Sequence, residues 1–339
     1  MMKPPIKPGA PLVGVSVSPP EGAAGTQAFL DTFRLARNAG VRFLFLSHTW
    51  GGDLEKAPGV LDLKPLADEV RNLPLLGFDT FSITIKTLDT TNRTLPPDLQ
   101  ARAWDDPVLL ARWDAFVDAL ADLLTAAPRR VRWVSLGNEV DVYLGAHRTE
   151  MEAYARFVER GRLRLRARFP GLPVGVTTTH DGRRDRPDLF RRLNRATDAV
   201  FLTYYPLGPD FGVRPVADVP ADFAHMVRAA GNKPLLLQEV GFPADPLLNS
   251  SEEKQAAFVD AVFDQTAKYK AHVGFVNFFL MHDFGSALVD GFVGYYGLPN
   301  NARFRAFLAT LGLRRANGTP RKAWSRFVAR ARDWGAKEK

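Results

Sequence analysis

The chain reads Asp198-Ala199-Val200-Phe201-Leu202-Thr203-Tyr204-Tyr205 and then, after a helical pattern over residues 220–230 closed by Gly231, Pro234-Leu235-Leu236-Leu237-Gln238-Glu239. Neither apolar run alternates with polar residues. A strand with one wet face has to alternate, because successive side chains point to opposite faces. A continuous apolar run is buried on both faces, as in a parallel sheet covered by helices. Strand, helix and strand in this order make one βαβ unit, and the glycine after the helix is the residue that ends a helix at least steric cost.

The same alternation continues outward in both directions. Toward the N-terminus the pattern predicts strands over residues 12–17, 41–46, 78–85, 131–136 and 174–179, and toward the C-terminus one over 273–280. Helical spacing fills the gaps. It predicts helices over 26–39, closed by Gly40, and near 63–73. Another runs from Pro107 to about residue 126, opened by Asp105-Asp106 with proline in the first turn. Further helices are expected over 149–168, 186–196, 250–269 and 301–311, the third opened by Ser250 and Glu253 as a capping box. Eight such repeats predict an α/β protein formed by a single (β/α)8 TIM barrel. No glycine-rich phosphate loop follows a strand, which weighs against a doubly wound open sheet. The length of 339 residues suits a barrel of about 250 residues with insertions. No Gly-, Pro- or Ser-rich linker interrupts it. One domain over residues 1–339 is expected, with 1–10 as an N-terminal extension and 314–339 as a basic helical C-terminal segment.

In such a barrel chemistry sits where strands end and the following loops begin. Two of those places carry a carboxylate directly after apolar sequence: Val134-Ser135-Leu136-Gly137-Asn138-Glu139 and Leu235-Leu236-Leu237-Gln238-Glu239. Glu139 has a plain structural explanation in a helix N-terminus, which favours an acidic side chain. Glu239 has one in a strand-end ion pair. The pair, on strands four and seven of an eightfold pattern, fits two carboxylates acting on one glycosidic bond.

The same segments resemble a known group of enzymes. Gly137-Asn138-Glu139 resembles the Asn-Glu signature of glycoside hydrolase clan A, on the matching strand. Glu239-Val240-Gly241-Phe242-Pro243 is similar to the nucleophile segment of several of its families. Leu202-Thr203-Tyr204-Tyr205-Pro206 resembles strand six of the endo-β-1,4-galactanases. The stretch from Gly312-Leu313 to Ala323-Trp324, with Asn317-Gly318-Thr319-Pro320 inside it, is similar to the closing segment of clan members. The resemblance implies a retaining glycosidase that cleaves β-glycosidic bonds of an oligo- or polysaccharide by double displacement. It makes Glu139 the acid/base and Glu239 the nucleophile. It makes Asn138 a ligand of the sugar 2-hydroxyl and Tyr205 a hydrogen-bond partner of the nucleophile. Thr203 stands where many members have histidine. Strand eight reads Asn277-Phe278-Phe279-Leu280-Met281-His282-Asp283, without the tryptophan that floors the reacting sugar in many members, so Phe279 or Met281 is expected there.

Other polar and aromatic residues fall near strand ends. His48, His180 and His282 follow strands two, five and eight, with Asp181 and Asp283 beside two of them. As a metal set they would suit a metal-dependent sugar isomerase or epimerase. Without a His-x-His or His-Glu-x-x-His spacing, hydroxyl-binding roles are favoured, and no metal or cofactor is expected. Trp50 and Tyr295-Tyr296 are aromatic residues in expected loops, suited either to stacking on a sugar face or to loop packing. Lys86, Asp89 and Arg93 follow strand three and could bind substrate or pair among themselves. A non-catalytic carbohydrate-binding barrel is the further alternative, disfavoured by the presence of both glutamates and Asn138.

The bulk composition excludes several classes. There is no cysteine, hence neither a disulfide framework nor a thiolate metal site. No apolar run approaches the roughly 18 residues of a membrane span. The net charge is +8, but the arginines are spread along helices, as at Arg156, Arg160, Arg164 and Arg168. That reads as a solvated helical face, with a carbohydrate as partner and neither nucleic acid nor membrane. The start, Met1-Met2-Lys3-Pro4-Pro5, lacks the apolar core of a signal peptide. The expectation is therefore a cytoplasmic protein; a secreted one whose leader had been removed would read alike.

Overall fold

A computed structural model describes residues 11–126 and 130–336. The expected extension over residues 1–10 lies outside the described residues. The main sheet contains strands β1 (Leu12–Val15), β2 (Phe43–Thr49), β3 (Thr80–Lys86), β4 (Val131–Ser135), β5 (Val174–Gly175 and Thr177–Thr179), β6 (Val200–Tyr204), β7 (Leu235–Val240) and β8 (Val273–Phe278). Its order starts at the second half of β5, passes through β6, β7, β8, β1, β2, β3 and β4, and ends at the first half of β5. The two ends of this order are halves of one strand, interrupted only at Val176. That is the strand order of a (β/α)8 barrel, and the pairings given by register are parallel.

The chain forms two compact units, whose boundaries run inside β6 and β7. One comprises Phe43–Thr203 and Lys233–Leu236. Its strands β2, β3 and β4 are in register, with Leu46 opposite Ile83 and Thr84 opposite Ser135. Helices Pro107–Ala126 and Met151–Arg168 lie together over an aromatic core of Trp50, Trp113, Phe116 and Phe157. Asp106 opens the first of these helices as the sequence predicts, accepting from the backbone N–H of Val108 at 2.8 Å and Leu109 at 3.2 Å.

The expected solvated arginine face is exposed, and it is paired with aspartates on the neighbouring helix. Arg160 donates to Asp114, Arg164 to Asp118 and Arg168 to Asp122, each across 2.6 Å. One helical turn separates successive pairs, so the arginines climb a ladder of carboxylates. The ion pair holds the Asp118 carboxyl below its usual range, chiefly through the Arg164 hydrogen bond.

Among the described residues, the other unit comprises 11–42, Tyr204–Asn232 and 237–336. Here β1 pairs with β8, Leu12 opposite Phe275. The basic C-terminal segment forms helix Lys322–Ala336, and its charges are met by helix Glu252–Lys268: Lys322 bonds Glu253, Arg326 bonds Asp260, and Arg330 bonds Asp264. The cap of Glu252–Lys268 differs from expectation by one residue. Ser251 accepts from the Lys254 N–H, because Ser250 donates its hydroxyl to the carbonyl of Pro243. After β8 come helices Ser286–Tyr295 and Ala302–Thr310, which bury Val289, Val293, Phe304 and Phe307 with Leu280 and Leu311.

Candidate functional site

The Glu139 end is built in the first unit from the loop that leaves β4. Ser135 closes the strand by donating to the Gly137 carbonyl at 2.9 Å. Gly137 has φ 146°, and a Cβ there would lie 2.4 Å from the Tyr154 hydroxyl, so only glycine fits. Tyr154 uses that hydroxyl to bond the Leu136 carbonyl. The turn ends at Glu139, itself left-handed at φ 47° and ψ 38°, and helix Val140–Ala146 begins. Strand alternation therefore stops before Glu139, and side-chain bonds set its direction.

Those bonds come from two threonine hydroxyls. Thr203, the penultimate residue of β6, donates to Glu139 Oε1 at 2.7 Å. Thr90, in the hairpin after β3, donates to Oε2 at 2.7 Å. Next to them, Asn138 is 8% exposed and donates Nδ2 to Asp89 at 3.0 Å. Asp89 also accepts from Lys86 Nζ at 2.9 Å. Asp141 anchors the helix below, accepting from the Thr179 hydroxyl at 2.7 Å and backbone N–H at 2.8 Å. Burial pushes the Asp141 carboxyl up to about 6, against the opposing Thr179 bonds and Arg186 charge.

The Glu239 end is built in the second unit. Tyr205, immediately after β6, donates its hydroxyl to Glu239 Oε2 at 2.6 Å. The Tyr205 ring stands edge-on to Phe307, with centroids 5.5 Å apart, and to Phe279 at 6.5 Å. A Cβ on Gly241 would come within 2.7 Å of both the Tyr205 ring and the Phe279 carbonyl, so the residue two beyond Glu239 must be small. Asn277 on β8 donates to the Gln238 carbonyl at 3.1 Å and to Ser16 at 2.9 Å, tying β7 and β1 to β8. On β8 Phe279 is half-buried beside Tyr205, and the peptide bond after it is cis. Met281 is fully buried, so of the two residues expected at this position it is Phe279 that is only partly buried.

Several expected site residues do other work. Trp50 is 0% exposed, packed 5.0 Å from Trp113, with its indole N–H donated to Glu55. It is a core residue and offers no ring to a sugar. His48 bonds Glu69 of the following helix Lys64–Asn72 at 2.8 Å. His282 is buried. It donates Nδ1–H to the Ser18 carbonyl at 2.6 Å and accepts from Arg314 at Nε2. The arginine contact leaves Nε2 without a proton, and burial first, with Arg314 after it, holds the imidazole below its ordinary range. Asp283 beside it is paired with Arg321 at 2.6 Å. His180 is buried in the first turn of helix His180–Asp185, which Thr179 caps. Among the described residues no group of His, Asp and Glu is arranged to hold an ion. Arg93 turns from the β3 end to lie over Trp104 and to pair with Glu150, whereas Lys86 and Asp89 stay with Asn138. Tyr295 is 43% exposed and touches Tyr296 at the end of helix Ser286–Tyr295.

Thr90 is the residue the sequence reading missed. A threonine in a two-residue turn carries no periodic signal, and its partner lies 49 positions away.

No protein-family model matches this chain. Nor does any curated protein match it in sequence. Solved structures with the same fold do. An exo-β-1,4-mannosidase from Opitutaceae bacterium strain TAV5 superimposes with a TM-score of 0.75 at 17% identity, over 97% of this chain and 60% of that one. The chain thus spans about 60% of the length of that neighbour. A GH5_18 protein from Streptomyces cattleya, solved in complex with Manβ1-4GlcNAc, gives 0.73 at 17% identity, covering 96% and 81%. The GH53 catalytic domain of Ignisphaera aggregans gives 0.61 at 14% identity, covering 94% and 90%. These neighbours are TIM-barrel glycoside hydrolases of clan A. This chain shares their fold.

Proposed function

We propose that this protein is a retaining glycoside hydrolase of clan A, with Glu239 as nucleophile and Glu139 as acid/base. The observation that carries the reading is that each glutamate, Glu239 at the C-terminal end of β7 and Glu139 in the loop that leaves β4, is gripped by hydroxyl donors. Tyr205 holds Glu239, and Thr90 with Thr203 holds Glu139. Active sites of this fold lie at those strand ends.

The chemistry follows from the two carboxylates. Glu239 attacks the anomeric carbon while Glu139 gives its proton to the departing oxygen, so the glycosidic bond breaks as the glycosyl ester forms. Glu139, now a carboxylate, takes a proton from water, and that water displaces Glu239 with a second inversion. Retention by this route needs carboxyl groups about 5–5.5 Å apart. The O–H that Tyr205 donates is strongest toward a charged acceptor, which suits a nucleophile that must be ionised. Asn138, fixed by Asp89, is placed to meet the sugar 2-hydroxyl, and Phe279 supplies the apolar floor. Two of these neighbours, an exo-β-1,4-mannosidase and a protein holding Manβ1-4GlcNAc, put β-1,4-linked mannosides first among substrates to screen.

The roles are separated by azide. Glu239→Gln is expected to abolish glycosylation of any substrate. Glu139→Gln is expected to slow natural glycosides by about 10²–10⁴-fold, the usual contribution of acid–base catalysis. An activated aryl glycoside needs little protonation, so in Glu139→Gln it should still glycosylate the enzyme. Azide needs no general base and should then release a glycosyl azide of retained configuration. Retained glycosyl azide from Glu239→Gln instead would reverse the assignment. An inverted sugar from the wild type would reject the retaining mechanism.

A further inference from the structure

We propose that Thr90 is a positioning residue for Glu139: its hydroxyl, opposite that of Thr203, fixes the plane of the carboxyl group through both halves of the reaction. The inference rests on Glu139 being the acid/base.

The local backbone does not aim the Glu139 side chain by itself. Its backbone is left-handed and follows Gly137 at φ 146°, so neither a strand nor a helix dictates where the side chain points. Thr203 reaches one oxygen from inside β6. Thr90 reaches the other oxygen, so hydroxyl donors hold the carboxyl at both of its oxygens.

The hairpin that carries Thr90 is built to deliver it. Leu88–Asp89 and Asn92–Arg93 pair antiparallel, leaving Thr90 and Thr91 as a two-residue turn. Thr90 has φ 54°. Positive φ at the first position of such a turn is normally given to glycine, and a β-branched residue there is strained. Three backbone bonds overcome that strain and join the turn to the Glu139 loop. Asn138 N–H donates to Leu88 at 2.9 Å, Thr90 N–H donates to Asn138 at 3.0 Å, and Tyr143 N–H donates to Thr90 at 2.9 Å. These would hold equally well around a glycine. What the threonine adds, at the expense of strain, is the hydroxyl on Glu139 Oε2.

A hydroxyl also suits this task chemically. Glu139 begins the cycle as an acid and becomes a base. A hydroxyl donates to the carboxylate and can accept from the carboxylic acid, so the grip survives the change of state. A lysine or arginine would favour only the charged form.

The experiment compares Thr90→Val, Thr90→Gly and Thr90→Ser with wild type and Glu139→Gln on two aryl glycosides of the same sugar, one with a good and one with a poor leaving group. Thr90→Val and Thr90→Gly are expected to lose about 10- to 100-fold in kcat/KM on the poor leaving group, the value of a hydrogen bond to a charged group. On the good one the loss should be small. Thr90→Ser should restore the wild-type ratio. Thr90→Gly, relieved of strain, should melt at or above the wild-type temperature while losing the same activity. Equal losses on both substrates without rescue by serine would mean a merely structural residue and overturn the proposal. So would wild-type ratios in Val and Gly variants while Glu139→Gln shows the split. If Glu139→Gln itself showed no split, the assignment of the acid/base would fall, and the role of Thr90 with it.

Discussion

Replacing Tyr205 by phenylalanine removes one oxygen and leaves the ring where it is. The ring is held edge-on between Phe307 and Phe279 and packs against the cluster that contains Leu280 and Leu311. None of those contacts involves the hydroxyl. The change therefore isolates the 2.6 Å bond to Glu239 Oε2. A hydrogen bond to a charged group contributes about 1.5–3 kcal/mol, and every 1.36 kcal/mol is tenfold in rate. If the bond orients Glu239 for attack, kcat/KM for an activated aryl glycoside should fall about 10- to 100-fold, because that constant reports the glycosylation step. The second step should respond differently. Once Glu239 is esterified its charge is gone, and a neutral ester is the weaker acceptor. Rapid-mixing measurements of the burst and the steady rate separate the two steps, and the burst should slow more than the steady rate. Thermal unfolding should be within about 1 kcal/mol of wild type, since the lost bond is only half-buried. A change in kcat/KM of less than twofold would refute the orienting role. So would a loss confined to the second step.

Two further outcomes follow from the packing. Asp141 keeps its proton to about pH 6 in the fold against an ordinary value of 3.8, so the folded chain binds more protons than the unfolded one between those values. Stability therefore falls as pH rises through that window, by about 3 kcal/mol from this group. Denaturant unfolding of wild type and Asp141→Asn should show the wild type's margin over the variant shrinking by that amount between about pH 4 and 7; a pH-independent difference would contradict the buried carboxyl. Trp50→Ala should cost about 3–5 kcal/mol in unfolding free energy, the range for emptying a large core site. KM for any glycoside still turned over should stay unchanged, and a selective rise in KM would return Trp50 to the sugar site.

The barrel was legible because its signal is redundant. Each of the eight strands is a short apolar run, and glycine or a polar cap punctuates the helices between them. A strand with its register misjudged by two residues, as at 41–46 against Phe43–Thr49, still counts as one strand. The insertions lack that redundancy. Helix Ser286–Tyr295 carries Gly291 and Gly294, which lower helix propensity, and it is held by burial of Val289 and Val293. The Leu88–Arg93 hairpin has only two residues per strand and exists because Asn138 and Tyr143 bond to it. The arginine face is solvated as expected, but its partners were missed for a related reason. Spacing along one helix shows that Arg160, Arg164 and Arg168 share a side, but the aspartates that meet them lie on a different helix.

The candidate site was legible only where its residues fall at or near strand ends. Glu139, Glu239, Thr203 and Tyr205 stand there, so counting strands finds them. Histidines at similar places were drawn in by the same count. Yet His48 bonds the next helix, and His282 is locked between Ser18 and Arg314. A strand end has two sides, and a residue type that suits both a site and a satisfied core does not say which it occupies. Only the partner decides. The same holds in reverse for Thr90, whose backbone strain and hydroxyl bond arise from the loop brought against it. Hydroxyl partners on both glutamates thus carry more information than the carboxylates themselves. Acidic residues end strands for many reasons, whereas a threonine held at φ 54° with its hydroxyl on Glu139 is a strained arrangement, for which the proposed acid/base role would account.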